Sequence, residues 1–387
     1  MYTYHCLNNI SEHGTSLFTD NYKQVETTDA DAILVRSANM KEMEMPENLL
    51  AIARAGAGVN NIPLDECASK GIVVFNTPGA NANGVKELVI AGMLLASRDI
   101  VGGIEWIEQQ EKTEDLAKRV EKQKKQFAGN EIAGKKLGII GLGAIGVMVA
   151  NAAVHLGMEV YGYDPYISVH AAWNLSHSIK PVTDLAEIYG KCDYITIHVP
   201  MTDETKGMIG KEAFAAMKDG VVLLNFARDA LVDEAALIEA LEAGKVKKYV
   251  TDFVTPAVAS TKNTLVTPHL GASTEESEDN CAVMAVKEVM DYLENGNIKN
   301  SVNYPAVDMG APRTAARIAV AHKNIPNQIA QYTKILGEAG INITSFLDKG
   351  RGDYAYSLID VDSDVDDATL AKLQGLDAVL KARVIHG

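Results

Sequence analysis

Short apolar runs alternate with amphipathic stretches along almost the whole chain, the pattern of strands exchanged with helices. Ala32–Val35, Leu49–Ala53 and Ile72–Phe75 are the first strand candidates. The second leads into the turn-rich AGAGVNNIP, and the third stops at Asn76, Thr77 and Pro78. Val85–Ser97 reads as a mostly apolar helix, and residues 105–127, dense in Glu, Lys and Gln, as one exposed helix. From Lys136 a second strand–helix series begins, with LGIIG, EVYGYD, YITIHVP, VVLLNFA and YVTDFV as its strands. Beyond Pro305 and the linker-like MGAP, a third pattern follows. RIAVAH, NQIAQYTKILGEAG, INITSFL, YAYSLIDVD, ATLAKLQGL and VLKARVI give the order βαββαβ of a ferredoxin-like module. The expected fold is α/β, with two Rossmann-like doubly wound domains and a small α+β domain at the C-terminus.

Leu137–Met158 contains no Asp, Glu, Lys or Arg and is long enough to span a bilayer. Gly138, Gly141, Gly143 and Gly146 crowd its first half, so a buried strand, a tight turn and a buried helix are expected instead. The 387 residues carry 36 Lys and Arg against 51 Asp and Glu, a formal charge of −15, which disfavours a broad nucleic-acid surface. Cys6, Cys67, Cys192 and Cys281 lie far apart with no Cys/His cluster. A disulfide scaffold and a metal site are therefore not expected, and a reducing compartment is. The N-terminus lacks a signal-peptide pattern, so the expected location is the cytoplasm.

Gly141-Leu142-Gly143-Ala144-Ile145-Gly146 fits GxGxxG between a strand and a helix. The first glycine allows the tight turn, the second lets backbone approach a pyrophosphate, and the third lets helix pack on strand. The helix N-terminus, at Ala144 and Ile145, adds unpaired amides and the positive dipole end. Asp164 ends the next strand, 18 residues beyond Gly146. A carboxylate there accepts hydrogen bonds from the adenosine ribose and repels a 2′-phosphate, so NAD is expected over NADP.

Over residues 30–303 the chain resembles the D-isomer-specific 2-hydroxyacid dehydrogenases. The resemblance rests on ARAGAGVNNIPLDECASKGIVVFNTPGAN, GNEIAGKKLGIIGLGAIG, CDYITIHVPMTDETKGMIG, VVLLNFARDALVDEAAL and VTPHLGAST. It implies a substrate-binding domain of residues 1–83 and 272–305, interrupted by an NAD-binding domain of residues 84–271, with substrate in the cleft between them. Residues 312–387 resemble an ACT domain, a regulatory module that binds amino acids. Together these imply oxidation of 3-phosphoglycerate to 3-phosphohydroxypyruvate, the entry to L-serine biosynthesis, by a homodimer or homotetramer.

Carried over by motif, His269 is the acid–base group and Arg228 the carboxylate-binding cation. An imidazole suits proton exchange near neutrality, and a guanidinium fork suits a carboxylate beside a carbonyl. Arg36, Ser37, Arg54, Ala57, Gly58 and Asn81 match substrate and phosphate contacts. Asp252 matches the carboxylate that holds the nicotinamide amide. His198, Pro200, Thr205, Ala227 and Gly271 complete the cofactor-facing set. In the third module His322, Asn324 and Asn342 match a grip on L-serine. Two departures stand out. Asp229 follows Arg228 where the family has glycine, and Asp252–Val258 holds no glutamate to orient His269. Other 2-hydroxy acids (hydroxypyruvate, glyoxylate or 2-oxoglutarate as the oxidised or reduced partner) and a non-catalytic NAD-sensing scaffold are the alternatives.

Overall fold

A computed structural model describes residues 1–386. The chain divides into two compact units, Met1–Ala80 with Glu275–Gly387, and Asn81–Thr274. The first unit holds two sheets. One is parallel, with β1 (Tyr2–Cys6), β2 (Tyr22–Gln24), β3 (Ala32–Val35), β4 (Ala51–Arg54) and β5 (Val73–Phe75) in the order β2-β1-β3-β4-β5. Strands β3 to β5 lie where the apolar runs put them. The first two, of which β2 forms the sheet edge, are partly exposed strands without such a run, and patterning did not show them.

The second unit is built on a parallel sheet of seven strands. These are β6 (Lys136–Ile140), β7 (Glu159–Tyr163), β8 (Lys180–Pro181), β9 (Tyr194–Ile197), β10 (Val221–Asn225), β11 (Val246–Thr251) and β12 (Thr264–Val266). Their order, β12-β11-β10-β9-β6-β7-β8, reverses direction of growth between β6 and β9. That reversal is where doubly wound sheets bind ligands. The charge-free stretch is β6, a turn and the helix Ala144–His155. No helix among the described residues is long and apolar enough to cross a membrane. The expected single helix over 105–127 is in fact two helices, Ile100–Gln109 and Leu116–Gln123, followed by a short 3-10 turn. The break falls at Thr113 and Asp115, whose short polar side chains bond each other and compete with helical backbone.

In the C-terminal part of the first unit, β13 (Ala316–Lys323), β14 (Ile343–Arg351), β15 (Tyr354–Val361) and β16 (Val379–His386) form an antiparallel sheet in the order β14-β15-β13-β16. With helices Gln328–Glu338 and Asp367–Gln374 this is the ferredoxin-like arrangement. Alternation along the strands gives the sheet two apolar faces. Ile318, Val320 and Ile359 meet Tyr332, Leu336 and Leu373 of the two helices. Ala319, Ala321, Tyr356, Leu358 and Ile385 join Phe75, Tyr292 and Tyr304 in the core of the parallel sheet.

The helix Glu275–Asn295 runs between these sheets and ends in carbonyls that need partners. Side chains of the antiparallel sheet supply them. Arg383 donates to Tyr292 and Leu293 carbonyls, Arg317 to that of Asn295 at 2.8 Å, and Tyr356 to that of Gly296 at 2.9 Å. Arg317 is wholly buried and forks onto Asp360 at 2.6 and 2.9 Å. Hydrogen bonds of this charged kind contribute about 1.5–3 kcal/mol each, and a buried partner left bare costs at least as much.

Glu288 lies on the same helix, 8% exposed, with Oε1 accepting from Asn300 at 2.6 Å and Oε2 without a hydrogen-bond partner among the described residues. Burial pushes its carboxyl up to about 7, and the Asn300 bond only partly opposes this. The native state therefore holds a proton that the unfolded chain has already lost, and stability falls as pH rises through this window. Glu288→Gln keeps the acceptor for Asn300 and removes the titration. Thermal denaturation should show the variant more stable than wild type at pH 8, by on the order of 2 kcal/mol, with little difference at pH 4.5.

Candidate functional site

The glycine turn follows β6 directly. Gly141 sits at φ +96°, where a Cβ would lie 2.7 Å from the backbone of His198. A Cβ on Gly146 would lie 2.0 Å from the Gly141 carbonyl oxygen. Gly143 is different. It has an ordinary extended backbone (φ −73°, ψ −162°) and nothing within 4 Å of its would-be Cβ. The fold does not require that glycine, whereas a phosphate lying over the turn would. Ala144 and Ile145 open the helix there, with its unpaired amides. Asp164 holds the turn from the side. Its Oδ2 accepts from the Leu142 amide at 2.9 Å and its Oδ1 from that of Tyr166 at 2.8 Å. These bonds leave lone pairs free on a half-buried carboxylate.

His198 ends β9, with Nε2 3.0 Å from Thr196 Oγ1 and Nδ1 shut off from solvent without a partner among the described residues. Burial pulls its pKa down to about 4, so this imidazole stays neutral at physiological pH. Thr205 pins the exposed turn after Pro200, donating to the Pro200 carbonyl at 2.7 Å and accepting from the Thr202 amide at 2.8 Å.

Arg228 lies three residues past β10, on a loop organised by a residue that sequence reasoning passed over. Asn225 is wholly buried. Its Oδ1 accepts from the amides of Ala227 and Arg228 at 3.1 and 3.3 Å, and its Nδ2 donates to the Arg228 carbonyl at 2.7 Å. The Arg228 side chain itself is exposed. Asp229 turns to its own backbone, where Oδ1 accepts from the Ala230 amide at 2.8 Å, and it forms no ion pair with Arg228. A buried polar residue at a strand end, three before a cation, is the signal that could have found Asn225.

Asp252 ends β11 and is 2% exposed. Its Oδ2 accepts from the Gly271 amide at 3.0 Å, while Oδ1 is buried without a hydrogen-bond partner among the described residues. Burial pushes this carboxyl up, and the Gly271 amide with the charges of His269 and Arg228 only partly pulls it back. Asp252, Arg228 and His269 are thus electrically coupled within one unit. The exposed His269 ring meets the Phe253 ring edge-on at 4.9 Å.

The remaining substrate candidates lie in the other unit, except Asn81, which precedes the helix Ala82–Ser97. Asn8, also missed, gathers the amides of Arg36, Ser37 and Ala38 onto its Oδ1 at 3.0, 3.0 and 2.9 Å. Arg54 Nε donates to the Arg36 carbonyl at 3.1 Å, and Arg36 pairs with Glu278 at 2.5 Å. Gly56 makes this possible, since a Cβ there would sit 2.2 Å from the Arg54 guanidinium. Ala57 and Gly58 continue the same turn, with the Ala57 carbonyl accepting from Asn76 at 2.6 Å.

A separate cavity of about 500 Å³ lies in the C-terminal part of the first unit, lined by His322, Asn324, Pro326, Gln328 and Asp348 among others. Asn327 opens the helix there in the left-handed conformation, φ 75°. His322 is 2% exposed, with Nδ1 3.0 Å from the Lys323 carbonyl and Nε2 2.9 Å from Asp348 Oδ1. Burial pushes the Asp348 carboxyl up, but bonds from His322 and Ser357 outweigh it and hold it below the usual range. Asn342 does not line this cavity. It is exposed at the start of β14, its amide turned to Asp362.

Residues 90–271 match the family description "D-isomer specific 2-hydroxyacid dehydrogenase, NAD binding domain". A D-3-phosphoglycerate dehydrogenase of Haemophilus influenzae is 31% identical over 98% of this chain and 92% of its own length. One from Methanocaldococcus jannaschii is 38% identical over 72% of this chain, which spans about half of that relative, 53%. The crystal structure of an NAD+-bound 3-phosphoglycerate dehydrogenase of Entamoeba histolytica is similar with TM-score 0.61 and 28% identity, over 78% of this chain and 98% of that one.

The two inner glycines separate fold from binding. Gly143→Val should leave the melting temperature within a few degrees and weaken NADH binding by at least about tenfold in a fluorescence titration. Gly146→Ala should lower the melting temperature itself, because its Cβ would strike the Gly141 carbonyl.

Proposed function

The chain belongs to the D-isomer specific 2-hydroxyacid dehydrogenase family, and from that premise we propose that it is an NAD-dependent D-3-phosphoglycerate dehydrogenase. The reaction takes 3-phospho-D-glycerate to 3-phosphohydroxypyruvate. NAD+, when bound, supplies the acceptor for the two electrons that leave C2 with its hydrogen. The chain's own residues bind, orient and move the proton. His269 takes the hydroxyl proton onto a ring nitrogen in oxidation and returns it in reduction. Arg228 offers its fork to the carboxylate and the C2 oxygen. Asp164 accepts from the adenosine ribose and disfavours a 2′-phosphate. The bare buried Oδ1 of Asp252 is an acceptor suited to a carboxamide N–H. His198, Pro200, Thr205, Ala227 and Gly271 line the cofactor side.

The observation that carries the phosphate assignment is the link between the end of β4 and the chain just past β3, where Arg54 Nε donates to the Arg36 carbonyl. On a chain of net charge −15, arginines at these two adjoining strand ends offer a phosphate local positive charge. Glu278, paired with Arg36 at 2.5 Å, would compete with a phosphate for that guanidinium. Ser37, the turn at Ala57 and Gly58, and Asn81 supply the neutral donors.

Turnover of NADH with 3-phosphohydroxypyruvate, beside hydroxypyruvate, glyoxylate and 2-oxoglutarate, tests this reading. The phosphorylated acid should be preferred by at least about a hundredfold in kcat/KM, and Arg36→Gln should remove most of that preference while sparing the unphosphorylated acids. Equal use of all four acids would discard the phosphoglycerate assignment. No turnover despite NADH binding would bring the scaffold reading forward.

The cavity at His322 and Asn324 supports a regulatory amino-acid site, with L-serine as effector and Asn342 contributed from a second module. The exposed Ile100, Ile104 and Ile107 on one helix support association between copies, as a homodimer or homotetramer. Four free thiols, three of them buried, suit the cytoplasm. Light scattering and calorimetry check both proposals together. The expected result is a dimer or tetramer that releases or takes up heat with millimolar L-serine. A monomer, or no heat at adequate concentration, counts against the corresponding part.

A further inference from the structure

The proposed reaction needs the His269 ring at a fixed angle, and residues 252–258 contain no glutamate to hold it. We propose that Phe253 is the positioning residue for His269 in this chain, its ring set by a buried relay through Thr251 and Asn225 that also sets Arg228. The inference rests on the reading of His269 as the acid–base group.

The two rings meet at 4.9 Å between centroids with 60° between planes, an edge-to-face contact. Such contacts are directional, because the ring edge is positive and the face negative. A phenyl ring can therefore orient an imidazole, although it cannot accept its proton. The aromatic contact alone would not fix an angle if Phe253 were free to swing. Its backbone is held on both sides. The Phe253 amide donates to Thr251 Oγ1 at 3.1 Å, and that hydroxyl donates onward to the Asn225 carbonyl at 2.8 Å. The preceding Asp252 ties the other strand of the loop, accepting from Gly271, two residues past His269.

Asn225 and Thr251 are both wholly buried. Satisfied buried polar groups of this kind are rigid, since any movement leaves a donor or acceptor bare in a medium of low dielectric. The Asn225 side chain in turn closes the Arg228 loop through bonds to the Ala227 and Arg228 amides and the Arg228 carbonyl. One residue thus registers the carboxylate-binding arginine against the histidine, its main-chain carbonyl bonded to Thr251 and its side chain to the Arg228 loop, at the adjacent ends of β10 and β11. In this arrangement ring angle comes from an aromatic edge, and the spacing between cation and base comes from the strand pair.

The test compares wild type with Phe253→Ala, Phe253→Tyr and Thr251→Val in the NADH-loaded protein. Phe253→Ala should lower kcat about ten- to hundredfold, with the KM for the oxo acid and the NADH dissociation constant within about threefold. Phe253→Tyr, which restores a ring, should recover kcat to within about threefold of wild type. Thr251→Val, which keeps shape and loses the hydroxyl, should show the same kcat signature more weakly. Independently of turnover, the His269 imidazole protons should carry a ring-current shift in NMR spectra, assigned with a His269→Gln control. That shift should vanish in Phe253→Ala and persist in Phe253→Tyr. A folded Phe253→Ala protein with wild-type kcat, or with unmoved His269 resonances, overturns the proposal. If wild type turns over no oxo acid, the proposed reaction fails and the resonance arm alone decides the contact.

Discussion

Buried main-chain carbonyls and amides must find partners, and in both units this one constraint determines how the elements are joined. In the first unit it falls at the end of the helix Glu275–Asn295. Arg383, Arg317 and Tyr356 reach from the antiparallel sheet to the carbonyls of residues 292–296. In the second unit it falls just after β10, where the chain leaves the sheet. Asn225 closes that exit with its own amide. Remove either set of partners and polar groups are stranded where water cannot serve them.

The consequence for the candidate site is that its order comes from behind the exposed side chains. Arg228 and His269 are themselves exposed. Rigidity lies one layer inward, in Asn225, Thr251 and Asp252, all wholly or almost wholly buried. The same division appears in the other unit, at the loop after β3. There Asn8 gathers three successive amides while the Arg36 side chain remains partly exposed.

The C-terminal sheet shares its core with the parallel sheet, so the two behave as one packed body within the first unit. Its strand β13 carries Arg317 near one end, bonded to the Glu275–Asn295 helix, and His322 near the other, lining the cavity. A ligand that changes the setting of β13 at His322 therefore acts on a strand already anchored to that helix. Close packing makes such displacements hard to absorb locally.

Much of this was legible in the residues alone. The glycine turn, Asp164 and the βαββαβ order are local patterns, because turn geometry and period-two or period-3.6 burial are written in neighbouring residues. The missing glutamate was equally visible. Strands β1 and β2 and the break at residues 110–115 were not, since their patterns are weak and polar side chains settle them locally. What takes the place of the glutamate was beyond reach of the sequence. Phe253 stands 16 residues from His269, and Asn225 a further 28 before it. Only the pairing of β11 with β10 on one side and β12 on the other, which depends on strands buried side by side, brings those three together. The sequence determined which chemical groups are present. The tertiary structure decided which of them hold one another in place, because contact across strands is a property of packing and not of spacing.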